Sequence, residues 1–325
     1  MKILIIRLSS MGDVVLTQGV AAKLRDKFPA AQIDFMTKPQ YRGVVKAFTN
    51  IDSIFLWGKN KPSLLRKLRK QNYDIVYDLQ AKFNTFIIKT LIKAKKTITY
   101  KKKHFLRWLI IKKMSAKTID STLALYFSVF DNSKDYTQYR PKLTPQHKID
   151  LSHYLDELDR KKKLIGIFPG AKHKTKIYPI TKLQVLINRL SVEHEYTFIL
   201  LGSEQEHALC KRLERMTNFR TLNLCDEFST GKLIAFMDKL DLIISNDSGP
   251  MHIAAALRKP QIAIFGSTST KLGFKPLNKK AIVLETDLNC QPCSLHGRKK
   301  CPRTHFNCMR NINPQQLANG ICELV

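Results

Sequence analysis

The sequence predicts an α/β protein of two domains, each a parallel sheet with helices on both faces. Three observations predict it. Short β-branched runs alternate with longer helical ones along the whole chain, the pattern of parallel strands joined by crossover helices. The alternation restarts after the charged run Asp159-Arg160-Lys161-Lys162-Lys163. Finally, 325 residues with 44% apolar content fill two cores of ordinary size more comfortably than one.

The elements follow in order. Lys2–Leu8, Gln32–Met36, Ser53–Trp57 and Asp74–Leu79 read as strands of the first domain (residues 1–160), with helices at Val14–Phe28 and Ser63–Gln71 between them. The second domain (residues 161–325) has strands at Leu164–Phe168, Tyr196–Leu201, Leu240–Ser245 and Gln261–Phe265, and helices near Thr181–Glu193, Glu204–Met216 and Gly231–Asp238. Asn313 and Pro314 give a last helix its cap and first turn; this helix is expected to return to the first domain. Ligands of such folds bind at the carboxyl ends of the strands, here in the crevice between the two halves.

Composition narrows the setting. The opening apolar run is short and interrupted by Arg7, so it reads as a buried strand and not as a signal segment. No stretch approaches the roughly 18 apolar residues of a spanning helix. Seven cysteines cannot all pair within one chain, which fits a reducing cytoplasm. The formal charge is +30, and between Asp78 and Asp120 there are twelve bases and no acid. Such a field attracts a polyanion, whether nucleic acid, anionic membrane or phosphorylated lipid. No nucleic-acid module accompanies it, so no nucleic acid is expected, although a basic polyanion-binding protein is the rival class. Within this interval His104–Met114 mixes bulky apolar and basic residues at helical spacing, either an interfacial helix on an anionic membrane or a domain helix with a basic outer face.

Chemistry concentrates at strand ends. Ser9-Ser10-Met11-Gly12-Asp13 delivers a carboxylate where the first strand gives way to a helix, and Asp13 there is either an active-site acid or a helix cap. Ser245 to Ala256 combines a polar turn, Asp247, Ser248, Gly249, Pro250 and His252 with a run of helix formers. The unpaired amides of such a helix start suit a diphosphate; the bland alternative is a well-capped buried helix. Gly170-Ala171-Lys172 opens a cationic loop through Lys176, whose lysines either neutralise a departing diphosphate or are simply solvated. Glu204 or Glu206 is placed to reach a ribose hydroxyl or to stabilise a first helical turn. No G-x-G-x-x-G, P-loop or Asp-x-Asp is present, so no metal holding a diphosphate is indicated. Cys290, Cys293, Cys301 and Cys308 have the residue types for zinc, but with one Cys-x-x-Cys only, free thiols packed in a loop come first and zinc second.

The ordered set of these motifs, with Phe265-Gly266-Ser267-Thr268 and the Cys-rich tail, resembles glycosyltransferase family 9, the ADP-heptose:lipopolysaccharide heptosyltransferases. The Cys-rich segment is more similar to the second heptosyltransferase than to the first. The resemblance implies a GT-B fold, two Rossmann-like domains with parallel sheets facing a central cleft, the first binding a lipid-linked acceptor and the second a nucleotide sugar. It implies ADP-heptose as co-substrate, no cofactor and no metal, and an acceptor of the Kdo–lipid A type reached by a cytoplasmic enzyme peripheral on the anionic inner membrane. Carried over, Asp13 is the general base, Lys176 neutralises phosphate, and Asp247, Gly249 and His252 mark the donor-binding helix start. Gly170, Ala171, Lys172, Glu204, Ser248 and Pro250 complete the donor side; Ser10, Met11, Gly12, Lys101, Lys102 and Lys103 form the acceptor side. Two departures from the family pattern are Ile177-Tyr178 before Pro179 and a loop Ser267–Thr270 without proline. The implied reaction is a direct, inverting displacement in which Asp13 accepts its proton late or has its pKa raised. Another nucleotide-sugar transferase or an epimerase on the same scaffold is the alternative.

Overall fold

The computed structural model describes every residue except Asn132. The chain divides into two compact units, Met1–His104 with Ser121–Gln146, and Phe105–Asp120 with His147–Val325.

The first unit contains strands β1 (Lys2–Ile6), β2 (Gln32–Thr37), β3 (Ser53–Leu56), β4 (Ile75–Asp78) and β5 (Lys96–Thr99). All are parallel, in the order β3-β2-β1-β4-β5. Central β1 is an unbroken apolar run, as a strand covered on both faces requires, and Ile3 to Ile6 are fully buried. The helices are α1 (Met11–Leu16), α2 (Gln18–Lys27), α3 (Arg42–Lys46), α4 (Lys61–Lys70) and α5 (Phe83–Ile92). Next in sequence come α6 (His104–Ile111), which packs with the second unit, and α7 (Thr122–Tyr126). The single helix expected over Val14–Phe28 is two: the Thr17 hydroxyl donates to the Val14 carbonyl at 2.6 Å where α1 ends, and the chain re-enters helix as α2.

The second unit adds α8 (Glu157–Lys161), β6 (Lys163–Phe168), α9 (Ile180–Glu193), β7 (Tyr196–Leu200), α10 (His207–Met216), β8 (Thr221–Asn223) and α11 (Thr230–Met237). Then follow β9 (Leu242–Asn246), α12 (Gly249–Ala256), β10 (Gln261–Phe265), β11 (Ala281–Glu285), α13 (Asn307–Arg310) and α14 (Pro314–Leu324). Its six parallel strands run β11-β10-β9-β6-β7-β8. The last helix, α14, lies on α9 and β10, because its apolar face of Leu317, Ala318 and Ile321 is part of this unit's core. Likewise α6 is held by the second unit: the Arg107 guanidinium donates to the Leu272 carbonyl at 3.1 Å and lies 5.1 Å from the Phe274 ring, and the Lys113 ammonium donates to the Gln291 carbonyl. No helix is long and apolar enough to cross a membrane among the described residues.

In both sheets the strand order reverses direction once, between β1 and β4 and between β6 and β9. The loops leaving those strands therefore diverge and open a crevice at their carboxyl ends, where ligands of open α/β sheets bind.

Candidate active site

The residues predicted from sequence fall into two groups, one in each unit. In the first, Ser10 caps α1 and Asp13 is its third residue. Asp13 is thus both the helix-stabilising acid and the carboxylate at the switch point. Its Oδ2 accepts from the Ser10 hydroxyl (2.7 Å), the Ser10 amide (3.1 Å) and the Arg7 guanidinium (2.7 Å); its Oδ1 accepts from the Tyr126 hydroxyl at 2.8 Å. Oδ2 is fully subscribed, so Oδ1 keeps the spare lone pair. Arg7, 6% exposed, also donates to the Leu79 carbonyl and lies 5.3 Å from the Tyr126 ring. Burial pushes the Asp13 carboxyl up, but the Arg7 charge and the hydrogen bonds from Ser10 and Tyr126 outweigh it and hold the group below the usual carboxylate range. That guanidinium opposes a raised pKa, one of the two routes expected for this base.

Met11 and Gly12 lie in the first turn of α1, not in a loop ahead of it. Of the three consecutive lysines, Lys101 and Lys103 are exposed, while Lys102 turns inward and its ammonium donates to the Ala81 carbonyl. Burial lowers the Lys102 pKa, and the Arg7 and Lys82 charges lower it further while Asp78 and Asp13 oppose them. Lys102 is therefore the lysine of this run that shares the electrostatic field of Asp13.

In the second unit Asn246 ends β9 and, 2% exposed, donates to the carbonyls of Pro169 (2.9 Å) and Gly170 (3.1 Å) while accepting from the Tyr178 amide at 3.0 Å. It ties the two loops of the crevice together. Asp247 pairs with Lys176 at 2.7 Å and accepts from the Thr268 hydroxyl at 2.7 Å, with only 5% and 14% of the Asp247 and Lys176 side chains exposed. Asp247, expected to touch a sugar or nucleotide, is here the partner of the lysine, and a buried carboxylate requires such a partner charge. Thr175 bonds Ser267 (2.8 Å) and Arg298 (2.7 Å to its amide) from the neighbouring loop. Gly297, at φ +100°, passes so close that a Cβ there would lie 2.6 Å from the Cβ of His173 and 3.0 Å from the Cδ of Lys176. Beside this lysine α12 begins at Gly249 with Pro250 in its first turn, and the Ser248 hydroxyl is buried without a partner among the described residues. His252 is buried in the next turn. Ala171 is half-buried, and Lys172 and Glu204 are exposed at the rim. Glu206, not Glu204, is engaged: it accepts from the Ser203 amide (2.8 Å) and hydroxyl (2.9 Å) and lies against Gly170.

Cys290, Cys293, Cys301 and Cys308 line one cavity with His305 beneath the Thr175 loop. All seven cysteines are free. The His305 Nδ1 accepts from the Asn307 amide at 2.9 Å, which leaves Nε2 to donate toward the Cys290 Sγ at 3.8 Å. Burial pushes the Cys293 thiol up and that of Cys308 to about 12, so both stay protonated at neutral pH. Among the described residues no three His, Cys, Asp or Glu side chains come close enough to one another to hold a metal ion.

The model of the family described as glycosyltransferase family 9 (heptosyltransferase) matches residues 62–302. The chain belongs to glycosyltransferase family 9. The protein named lipopolysaccharide heptosyltransferase 1 of Campylobacter coli is 29% identical over 316 residues, covering 87% of this chain and 89% of that protein. A solved Escherichia coli ADP-heptose lipopolysaccharide heptosyltransferase II is 21% identical with a TM-score of 0.75, covering 100% and 98% of the two chains. A family 9 glycosyltransferase of Veillonella parvula reaches a TM-score of 0.81 at 19% identity, covering 99% and 96%. The last two show the fold, GT-B with its two parallel sheets. For this family 9 enzyme, sequence reasoning missed Arg7, Tyr126 and Gly297, and gave Thr268 no role although it lies in a quoted motif. Arg7 lies two residues ahead of a quoted motif, and an arginine inside an otherwise apolar strand was its one visible signal.

Proposed function

We propose that the enzyme transfers a heptose from ADP-heptose to the inner core of a lipopolysaccharide precursor of the Kdo–lipid A type, inverting the anomeric centre. The observation that carries this reading, within the family, is a lysine fixed by Asp247, itself held by the Thr268 hydroxyl, at the start of α12 beside the unpartnered Ser248 hydroxyl. That arrangement supports a seat for a departing diphosphate, whose charge grows as the sugar leaves. Asp13, Lys176, the loop at Gly170 and the start of α12 are its working parts.

The acceptor hydroxyl attacks the anomeric carbon, the bond to ADP breaks toward Lys176 and the α12 amides, and the hydroxyl proton passes to Oδ1 of Asp13. A carboxylate held below its usual range is a poor base for a neutral alcohol. The transfer therefore comes late, when bond formation has made the attacking oxygen strongly acidic. Lys102 and Lys82 offer the acceptor's phosphate or carboxylate groups a counter-charge near Asp13. The enzyme works from the cytoplasmic face of the inner membrane as a peripheral protein.

The test is turnover with ADP-heptose and truncated lipopolysaccharide acceptors, with ADP and UDP as competitors. Heptosyl transfer inhibited by ADP and not by UDP is expected. Transfer or epimerisation with another nucleotide sugar only, or tight polyanion binding with all nucleotide sugars ignored, overturns the proposal.

A further inference from the structure

One stripe of α5 is apolar and open to solvent. Phe83, Phe86, Ile87 and Leu91 follow helical spacing and are 75%, 61%, 42% and 46% exposed. The stripe cannot roll inward. Thr85, Ile88 and Ile92 on the opposite face are buried, the Thr85 hydroxyl donates to Asp78 at 3.0 Å, and Lys89 pairs with the same buried carboxylate at 3.3 Å. Asp78 also accepts from the amides of Gln80 (3.0 Å) and Ala81 (2.8 Å), which fixes the turn entering the helix.

The surroundings are basic. α4 packs beside α5 with Lys61, Arg66, Lys67, Arg69 and Lys70 exposed and no acid of its own. Lys82 and Lys93 flank the ends of α5, both exposed. From Ser53 to Ile119 the acids are Asp74 and Asp78, each already paired with a lysine. An apolar ridge between unopposed cations complements a surface that is apolar inside and anionic outside. A second copy would bring the same positive charge against it.

We propose that α5 is the element by which the first unit seats on an anionic bilayer, with Phe83, Phe86, Ile87 and Leu91 entering the headgroup–acyl boundary and the α4 cations over lipid phosphates. This names the docking element of the peripheral reading above and is independent of the sugar chemistry. It also differs from one of the two sequence readings of His104–Met114, that of an interfacial helix, and leaves α6 the other, a domain helix. Although Phe105 and Trp108 of α6 are exposed and stack on each other at 5.9 Å, its other face is committed to the second unit.

The full chain is sedimented with vesicles of phosphatidylcholine alone or with about a third phosphatidylglycerol, across a salt series. Binding to the anionic vesicles only, weakening with salt, is expected; Phe83→Ser with Phe86→Ser lowers it about tenfold or more. Arg66, Lys67, Arg69 and Lys70 changed together to Gln also weaken binding and flatten the salt dependence, whereas Trp108→Ser changes it less than about twofold. Turnover of a deacylated, soluble acceptor stays at the native level in the Phe83/Phe86 variant, which also reports that it folds. Binding retained by that variant, lost instead in Trp108→Ser, or indifferent to phosphatidylglycerol overturns the proposal. So does light scattering that finds a native dimer dissociated by the Phe83/Phe86 change. If no chain turns over sugar but vesicle binding behaves as expected, the transferase reading fails and this one stands.

Discussion

Arg7 and Asp13 oppose the effect of burial on each other, and the balance sets how the carboxylate titrates. Its folded pKa is depressed, so Asp13 adds stability above the unfolded carboxyl value of about 3.9 and loses it as pH falls below that. In the neutral range it is always ionised. The Asp13→Ala enzyme should lose about two orders of magnitude or more in kcat, the usual scale for removing a general base; near-native turnover would take Asp13 out of the mechanism. Arg7→Met removes the charge but leaves the desolvation, so the carboxyl should move up. The acid limb of kcat/KM, followed from about pH 4 to pH 8, should then shift to higher pH. Arg7→Lys should restore the native profile because it restores the charge. An unshifted profile in Arg7→Met would mean that Ser10 and Tyr126 alone hold the carboxylate down.

At the scale of elements, loops are fixed by close approach as much as by hydrogen bonds. A Cβ at Gly170 would fall 2.2 Å from Glu206 Oε1 and 2.5 Å from its Cγ, so the whole Glu206 side chain would have to leave its cap on Ser203. Gly170→Ala should cost about 1 kcal/mol in urea unfolding, the worth of a helix cap. In a Glu206→Ala background the same change should cost almost nothing, and a cost that persists there would place the strain elsewhere. This kind of constraint was invisible in the sequence. The central strands were legible because each is a continuous apolar run, and the crevice residues because polar turns follow those runs. β5 and β8 were not: Lys96-Thr-Ile-Thr99 and Thr221-Leu-Asn223 are short edge strands with little apolar signal, and their identity comes from the neighbour they pair with. The Lys176–Asp247 pair joins residues 71 positions apart, and only the adjacency of β6 and β9 brings them together. The sequence therefore pointed to Asp247 as a ligand contact without showing that it also partners the lysine.

Across the whole molecule the charge of +30 is not matched by internal pairing, so binding an anionic ligand should relieve repulsion as well as make contacts. In the second unit the cation best placed for this is Lys176, whose ammonium is already oriented and largely dry. A diphosphate that seats there replaces little of the existing order; it adds to the Asp247–Lys176–Thr268 set and gives the Ser248 hydroxyl a partner. At about 100 times its Kd such a ligand stabilises by about 2.7 kcal/mol, which corresponds to a rise of about 5–10 °C in Tm for a unit of this size. ADP should produce that rise in thermal unfolding, with new hydrogen-exchange protection at Gly170–Lys176, Asp247–His252 and Gly266–Ser269. Lys176→Ala should lower the ligand-free Tm, because it leaves Asp247 buried with one hydroxyl for company. Measured from that lower baseline, it should also lose most of the ADP-induced rise. If the rise survives in Lys176→Ala, the diphosphate is held by the α12 amides alone, and the lysine serves the fold and not the leaving group.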